Sequence, residues 1–405
     1  MMSYEEQRIK NSKRTGEQRM SVLNKKIGII GGGQLGKMMI LEAKRLGFYV
    51  VILDPILNCP SHSISDEHIV ADFDDKNAIR ELAGMVDVIT YEFEHINVEA
   101  LQTLENEGHV VYPSVASLKV IQDKYSQKML LKENDIPVPA FEKVQTIEDI
   151  YAVGSKFNYP MMLKTTKGGY DGKGNSLIAA KDDVERAYAE LGSGSKELMV
   201  ESFIPFQKEI SIIACRTIDG QRQIYPVAEN IHKHSILDTT IVPARISKEN
   251  TEFAQKVADN VMKVFDGVGT FCIEMFVVDG EIYVNEVAPR PHNSGHYTIE
   301  GTRCNQFENH IRAVTGLALG NVSLTSPIAM RNMLGEESSG IATVVGLEEA
   351  YAMNPNLKVH IYGKENSQVG RKMGHLTVTN DDIEIAIEQA EQAKQIVKFV
   401  GATVN

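Results

Sequence analysis

Ile27–Ile30 is a short apolar run that passes directly into Gly31-Gly32-Gly33-Gln34-Leu35-Gly36 and then into an amphipathic segment, Leu35–Leu46. A buried strand that turns through glycines into a helix commits this part of the chain to an α/β layer structure. The segments that follow repeat the alternation: strand Phe48–Leu53, helix Asp75–Ala83, strand Asp87–Tyr91, helix Val98–Glu107 and strand His109–Tyr112. Strands and helices in strict turn predict a parallel, doubly wound sheet, ending near Val120.

The glycine loop itself has two readings. It fits GxGxxG in a strand–turn–helix context, and Asp54 lies where a ribose-binding acid would stand, which is the pattern of an NAD or FAD site. The free N–H groups at a helix N-terminus attract any phosphate, however, so a phosphorylated substrate fits equally well. A second loop, Lys167-Gly168-Gly169-Tyr170-Asp171-Gly172-Lys173-Gly174-Asn175, joins two strands instead of opening a helix. It offers backbone N–H groups and two lysines to phosphate oxygens, with Lys164 at the end of the preceding strand.

Beyond Val120 the pattern changes to α+β. Helix Gln122–Glu133 stops at Ile136-Pro137; strand Ala140–Val144 and a helix begun at Thr146 follow. Tyr159–Thr165 and Asn175–Ala179 read as an antiparallel pair, with helix Asp182–Leu191 and strand Glu197–Phe203 completing a small unit. Hairpins Glu209–Glu229 and Gly269–Val287 flank helix Lys248–Phe265. Strands Pro327–Leu334, Ala342–Val345, Lys358–Tyr362 and Gly374–Val378, closed by helix Asp381–Phe399, predict a small β-rich module. The domains expected are therefore 25–121, 122–320 with a mobile lid at about 142–203, and 321–405. Residues 1–24 are polar and lack apolar periodicity, which predicts a disordered tail, with Met20 a candidate natural start.

The net charge of −12, with no basic block in the folded part, argues against nucleic acid as a partner. No apolar run reaches membrane-spanning length and no secretory signal is visible. The four cysteines show no metal or disulfide spacing, and the histidines no zinc spacing, so reduced thiols, a cytoplasmic location and no structural metal are expected.

Val284–Thr298, VNEVAPRPHNSGHYT, is the densest stretch of site-type residues. Glu286, with Glu274 on the preceding strand, supplies hard oxygen ligands suited to Mg²⁺ carrying a nucleoside triphosphate. A two-residue Asp279-Gly280 turn would put the two carboxylates on opposite faces of their hairpin. A three-residue loop, Val278-Asp279-Gly280, with Gly280 left-handed, puts them on one face, and that is the expectation.

Lys164, the loop KGGYDGKGN, Glu201-Ser202-Phe203-Ile204 with Glu209, and Glu274 with Asn285-Glu286 resemble the ATP-grasp ligases. Within them GGGQLGKMM, TYEFEHI, APRPHNSGHYT and YGKENSQVGRKMGH resemble the N5-carboxyaminoimidazole ribonucleotide synthetase family, from about Lys26 to near the C-terminus. The resemblance implies an ATP-grasp fold behind an N-terminal Rossmann-like domain, with a small β-rich C-terminal domain. It implies that ATP and bicarbonate carboxylate 5-aminoimidazole ribonucleotide through carboxyphosphate, in purine biosynthesis.

The resemblance also assigns roles. Lys124, Lys164 and the loop residues Gly169, Tyr170, Asp171, Gly172, Lys173, Gly174 and Asn175 would hold the ATP phosphates, Lys124 standing where many relatives carry Arg. Glu201, Ser202, Phe203 and Ile204 would bind adenine, Glu209 the ribose, with His232 and Asn285 nearby. Glu274 and Glu286 would hold two Mg²⁺ ions. Gln34, Leu35, Glu92 (or Glu94, on the same side of the strand), Tyr170, Asp171 and Asn293 would surround the ribonucleotide, with Lys364 and Arg371 on its phosphate. His296 and Lys364 would stand at the bicarbonate position, and Asp171 or a phosphate oxygen would take the substrate proton. His292 is a structural hydrogen bonder or a ligand. A homodimer built on the first and last domains, and hand-off to the next mutase of the pathway, are further implications. The rival readings are a formate-dependent glycinamide ribonucleotide transformylase, an NAD-dependent oxidoreductase and a catalytically silent nucleotide-binding module.

Overall fold

The computed structural model describes residues 24–169, 172–336 and 339–402; the tail read as disordered, and Tyr170 and Asp171 of the second loop, lie outside them. The first unit is a parallel sheet of β1 (Lys26–Ile30), β2 (Tyr49–Leu53), β3 (Glu67–Ile69) and β4 (Val88–Tyr91), in the order β3-β2-β1-β4. Helices α1 (Gln34–Arg45), α2 (Lys76–Met85) and α3 (Val98–Asn106) cover its faces, and α4 (Val115–Ile121) leads out of it. Asp75 and Asn97 start α2 and α3 by accepting backbone N–H bonds, as N-cap residues do. The expected strand at 109–112 is only a single bridge, Ile89 to Val111. β3 escaped the sequence because three residues, partly polar, carry no period.

Helix α5 (Lys124–Glu133) opens the second unit. A four-stranded antiparallel sheet follows, made of β5 (Phe141–Val144), β6 (Met161–Thr165), β7 (Asn175–Ile178) and β8 (Leu198–Ser202), in the order β5-β8-β6-β7. Helix α6 (Ile147–Phe157) packs on it and begins in a capping box between Thr146 and Asp149. These elements fill the span expected to be the lid.

The largest sheet has nine strands: β9 (Lys208–Arg216), β10 (Arg222–Ile224), β11 (Ala228–Lys233), β12 (Ile236–Val242), β13 (Gly269–Val278), β14 (Glu281–Ala288), β15 (Ile328–Leu334), β17 (Leu357–Ile361) and β19 (Lys372–Thr379). Because β12 pairs with β15, strands β15, β17 and β19 of the last module continue this sheet. A separate three-stranded sheet joins β16 (Gly340–Val345), β18 (Asn366–Ser367) and β20 (Lys398–Ala402). The helix expected to run to Phe399 therefore ends at Ile396, and the chain turns into β20.

Helix α8 (Lys248–Phe265; α7 is the short Val184–Glu190) lies under the large sheet. Its buried face is Ala254, Val257, Ala258, Val261, Met262 and Phe265, spaced three and four apart. Each larger side chain there contributes roughly 1.5–3 kcal/mol by leaving water, so an aspartate at Val261 would break the layer. Helix α9 (Gln306–Thr315) packs Phe307, Ile311 and Val314 against α1 and β1, locking the first unit to the second.

Candidate active site

One cavity of about 1090 Å³ runs between the first unit, the lid and the large sheet. Its floor is the β13–β14 hairpin. The turn is a two-residue one, with Asp279 at φ 47° and Gly280 at φ 86°, and Val278 pairs with Glu281. The three-residue loop expected from the sequence is thus wrong. The carboxylates nevertheless face each other, because β14 carries a bulge: Met275 pairs with Val284, but Glu274 pairs with Glu286, leaving Asn285 as the extra residue. Without it Glu286 would fall on the core side with Val284. The Asn285 carbonyl, out of the ladder, accepts a bond of 2.9 Å from Lys128 Nζ.

Burial, and then Glu286 opposite, push the Glu274 carboxyl up to about 7. Burial would raise Glu286 too, but Lys124, whose Nζ donates at 2.7 Å, outweighs it and holds Glu286 below its ordinary value. Two facing carboxylates of which one resists ionisation form a donor set that fits a hard divalent cation.

Above the floor, Glu201 on β8 lies 2.7 Å from Lys164 on β6 and 3.1 Å from Lys128 on α5. Lys128 and Glu201 are both almost wholly buried. Burial would raise Glu201, yet Lys128 and Lys164 together hold it down to about 2. Burial, helped by Lys164 and Lys124, lowers Lys128 to about 8. Sequence reasoning found Lys124 and missed Lys128, although four-residue spacing puts both on one face of the helix.

Gly169, Gly172, Lys173 and Asn175 of the lid loop line the cavity; Gly172 and Gly174 take positive φ, of 76° and 84°. The loop rests on the β11–β12 turn, where a Cβ on Gly172 would lie 2.4 Å from that of Ser235. Ser202, Phe203, Ile204, Glu209, His232 and Asn285 also line it, His232 Nδ1 bonding to Glu209. Phe206 stacks on Phe276 with ring centres 4.7 Å apart, a flat wall in the same cavity.

At the first unit, Gln34, Leu35, Asp54 and Glu92 reach the cavity, but the glycine loop's donors are already engaged. Glu92 accepts from Gly33 N–H at 2.5 Å and Gly36 N–H at 2.6 Å, and Asp54 from Gly32 and Ile56 N–H at 2.8 Å each. The glycines exist for this approach: a Cβ on Gly33 would lie 2.6 Å from Glu92 Oε1. A pyrophosphate at this helix N-terminus would meet two carboxylates, so the dinucleotide reading fails. Glu94 pairs with Arg290 of the Pro-Arg-Pro bend at 2.8 Å.

Asn293 sits in a single 3-10 turn, Asn293–Gly295, and its side-chain N and O, both buried, have no partner among the described residues while the residue lines the cavity. Gln306 holds this turn, accepting from His292 N–H at 2.9 Å and donating to His292 O at 2.7 Å.

Three expected residues stand elsewhere. His296 is 1% exposed, tilted against His375 with ring centres 4.5 Å apart, behind the cavity wall, and burial pushes it well below its ordinary value. It is a core histidine. Lys364 donates to Lys372 O at 2.7 Å and lines a separate, shallower depression. Burial raises the Glu92 carboxyl above its ordinary value, and the Lys364 charge offsets a small part of that. Arg371 Nη1 donates to Asn366 O at 2.7 Å, outside the cavity lining. Lys372, its neighbour and the first residue of β19, faces the cavity instead.

A lid sheet with a glycine loop, lysines beneath it and paired carboxylates on a facing sheet define an ATP-grasp ligase. Family models agree along the chain: a ribonucleotide synthetase preATP-grasp domain at residues 24–122, an ATP-grasp domain at 129–307, and a phosphoribosylaminoimidazole carboxylase C-terminal domain at 328–389. The N5-carboxyaminoimidazole ribonucleotide synthase of Bacillus subtilis is 42% identical over 356 residues, 87% of this chain and 90% of the relative. The crystal structure of the synthetase from Thermotoga maritima superposes with a TM-score of 0.86 at 45% identity, covering 93% of this chain and 100% of that one. That of the Aspergillus clavatus enzyme, in complex with ADP and 5-aminoimidazole ribonucleotide, has a TM-score of 0.86 at 33% identity over 93% and 99%. The chain belongs to the N5-carboxyaminoimidazole ribonucleotide synthase family.

Proposed function

We propose that this protein uses ATP and bicarbonate to carboxylate 5-aminoimidazole ribonucleotide on its amine, releasing ADP and phosphate. The observation that carries the reading is one cavity in which the lid lysines and the Glu274–Glu286 pair open onto the Asn293 amide, which has no partner among the described residues. ATP would lie under the lid loop, with Lys124 and Lys164 against its phosphates and the base beside Ser202–Ile204. Glu274 and Glu286 would hold Mg²⁺, two ions by the family pattern, which supplies charge neutralisation when bound. Lys124, held by Glu286 at 2.7 Å, would turn to phosphate once a cation takes that carboxylate.

Bicarbonate attack on the terminal phosphorus would give carboxyphosphate, which water destroys. The close approach of Gly172 to Ser235 supports a role for this loop in keeping water out. Asn293, Gln34 and Glu92 would orient the ribonucleotide; the outer lone pairs of Glu92 remain able to accept. Lys372, with Lys364 behind the loop, is favoured over Arg371 for its phosphate. Asp171 lies outside the described residues, and its role as proton acceptor rests on the resemblance; full kcat with unchanged pH dependence in Asp171→Asn would remove it.

A homodimer is proposed on the exposed apolar side chains Leu41, Ile56 and Leu57 of the first unit and Tyr351 and Met353 of the last. Light scattering reads it directly. A cytoplasmic location and hand-off of the labile carbamate to the next enzyme are proposed with it. The test of the carboxyphosphate route is bicarbonate labelled with ¹⁸O: one labelled oxygen should appear in the released phosphate, and unlabelled phosphate would overturn it.

A further inference from the structure

Cys272 and Glu274 lie two residues apart on β13 and so share a face. His292, after the Pro-Arg-Pro bend, brings its Nε2 to 3.6 Å from Glu274 Oε1. The Cys272 sulfur, a Glu274 oxygen and a His292 ring nitrogen all lie within 4.8 Å of one another. His292 Nδ1 is 2.9 Å from Ser294 Oγ, which accepts from Ser211 and lies 3.6 Å from the Cys272 sulfur. Ser294 N–H also reaches His292 Nδ1, at 3.3 Å; a metal on Nε2 requires the other tautomer, in which Nδ1 donates to Ser294 Oγ, the outer contact that aims an imidazole. Glu274 and His292 line the cavity, while Cys272 is buried just beneath them.

We propose that Cys272, Glu274 and His292 form a Zn²⁺ site at the floor of the cavity, and that Zn²⁺ there inhibits the enzyme by capturing Glu274. A thiolate, an imidazole and a carboxylate are the ligand types Zn²⁺ takes, with a fourth position left to water. Mg²⁺ does not compete for the sulfur, because it is a hard cation that prefers oxygen. On binding, the Zn–S bond forms as the thiol proton leaves to solvent, and no electron is transferred. The spacing, Cys-x-Glu with a histidine some way downstream, matches no zinc pattern in sequence; the hairpin and the bend assemble it. The inhibition, unlike the binding, rests on the proposed role of Glu274.

The test is a Co²⁺ titration of the full chain without nucleotide, followed by Zn²⁺ displacement. A thiolate-to-cobalt charge-transfer band that Zn²⁺ abolishes is the expected result; its absence from the wild-type protein overturns the site, whatever any variant does. In Cys272→Ser the band should vanish and Zn²⁺ affinity fall by at least ~10-fold. Its ATP turnover in Mg²⁺ should be unchanged and its Zn²⁺ inhibition relieved. Equal Zn²⁺ inhibition of wild type and Cys272→Ser would overturn the proposal. A cobalt band without Zn²⁺ inhibition would support the site and overturn its inhibitory role.

Discussion

Glu274 and Glu286 stand directly opposite each other across β13 and β14 because Asn285 is an extra residue in β14. That single bulge turns Glu286 from the core face to the cavity and frees the Asn285 carbonyl for Lys128. The carboxylate pair, the buried lysine and Glu201 on β8 are thereby tied into one network.

The first consequence is a pH dependence of stability. Glu274 titrates near 7 in the folded protein against an ordinary value of 4.5, so the folded state binds the extra proton between those values. Its contribution is fully present below 4.5 and is lost as pH rises through about 7. Urea unfolding without divalent cations should show this falling component, and Glu274→Gln should lack it. An identical slope in both proteins would contradict the assignment.

Lys128→Met should cost about 3–5 kcal/mol, because it leaves Glu201 buried with Lys164 alone. The urea midpoint should fall accordingly at neutral pH. Glu201 is held down to about 2, so its share of stability exists above 4.5 and is lost as pH falls toward 2. The variant's deficit should therefore shrink in acid; a deficit independent of pH would contradict the pairing.

Asn293→Ala should raise KM for the ribonucleotide about tenfold, the equivalent of one or two lost hydrogen bonds. ATP affinity, measured separately by calorimetry, should not change. A weakened ATP site with unaltered ribonucleotide KM would reverse the assignment of that amide.

NADH should not bind, because Asp54 and Glu92 already occupy the amides of the glycine loop. Fluorescence titration checks this directly. Glu92→Gln should cost about 1 kcal/mol as a lost helix cap, with saturable NADH binding still absent.

Most of the scaffold was legible because its segments are long and periodic: helix Lys248–Phe265 falls where its apolar spacing puts it. The lid pair was legible from two apolar runs around a glycine loop. What failed depended on contacts distant in sequence. The joining of β12 to β15 leaves no trace in either strand's pattern. The hairpin reading reached the right face by the wrong turn, since a bulge at an asparagine looks like any other strand residue. His296 and Arg371 looked like site residues by neighbourhood, but burial against His375 and a bond to the Asn366 carbonyl hold them outside the cavity. Lys372 was passed over for the converse reason, and Arg290 because its partner Glu94 is far away in the chain.

The central claim is that ATP cleavage here is coupled to joining bicarbonate to the ribonucleotide amine. ADP release should be followed with ATP and Mg²⁺ alone, with each co-substrate singly, and with 5-aminoimidazole ribonucleotide and bicarbonate together. Rapid turnover only in the complete mixture is the predicted result; equal turnover with formate in place of bicarbonate, or with neither co-substrate, would contradict it.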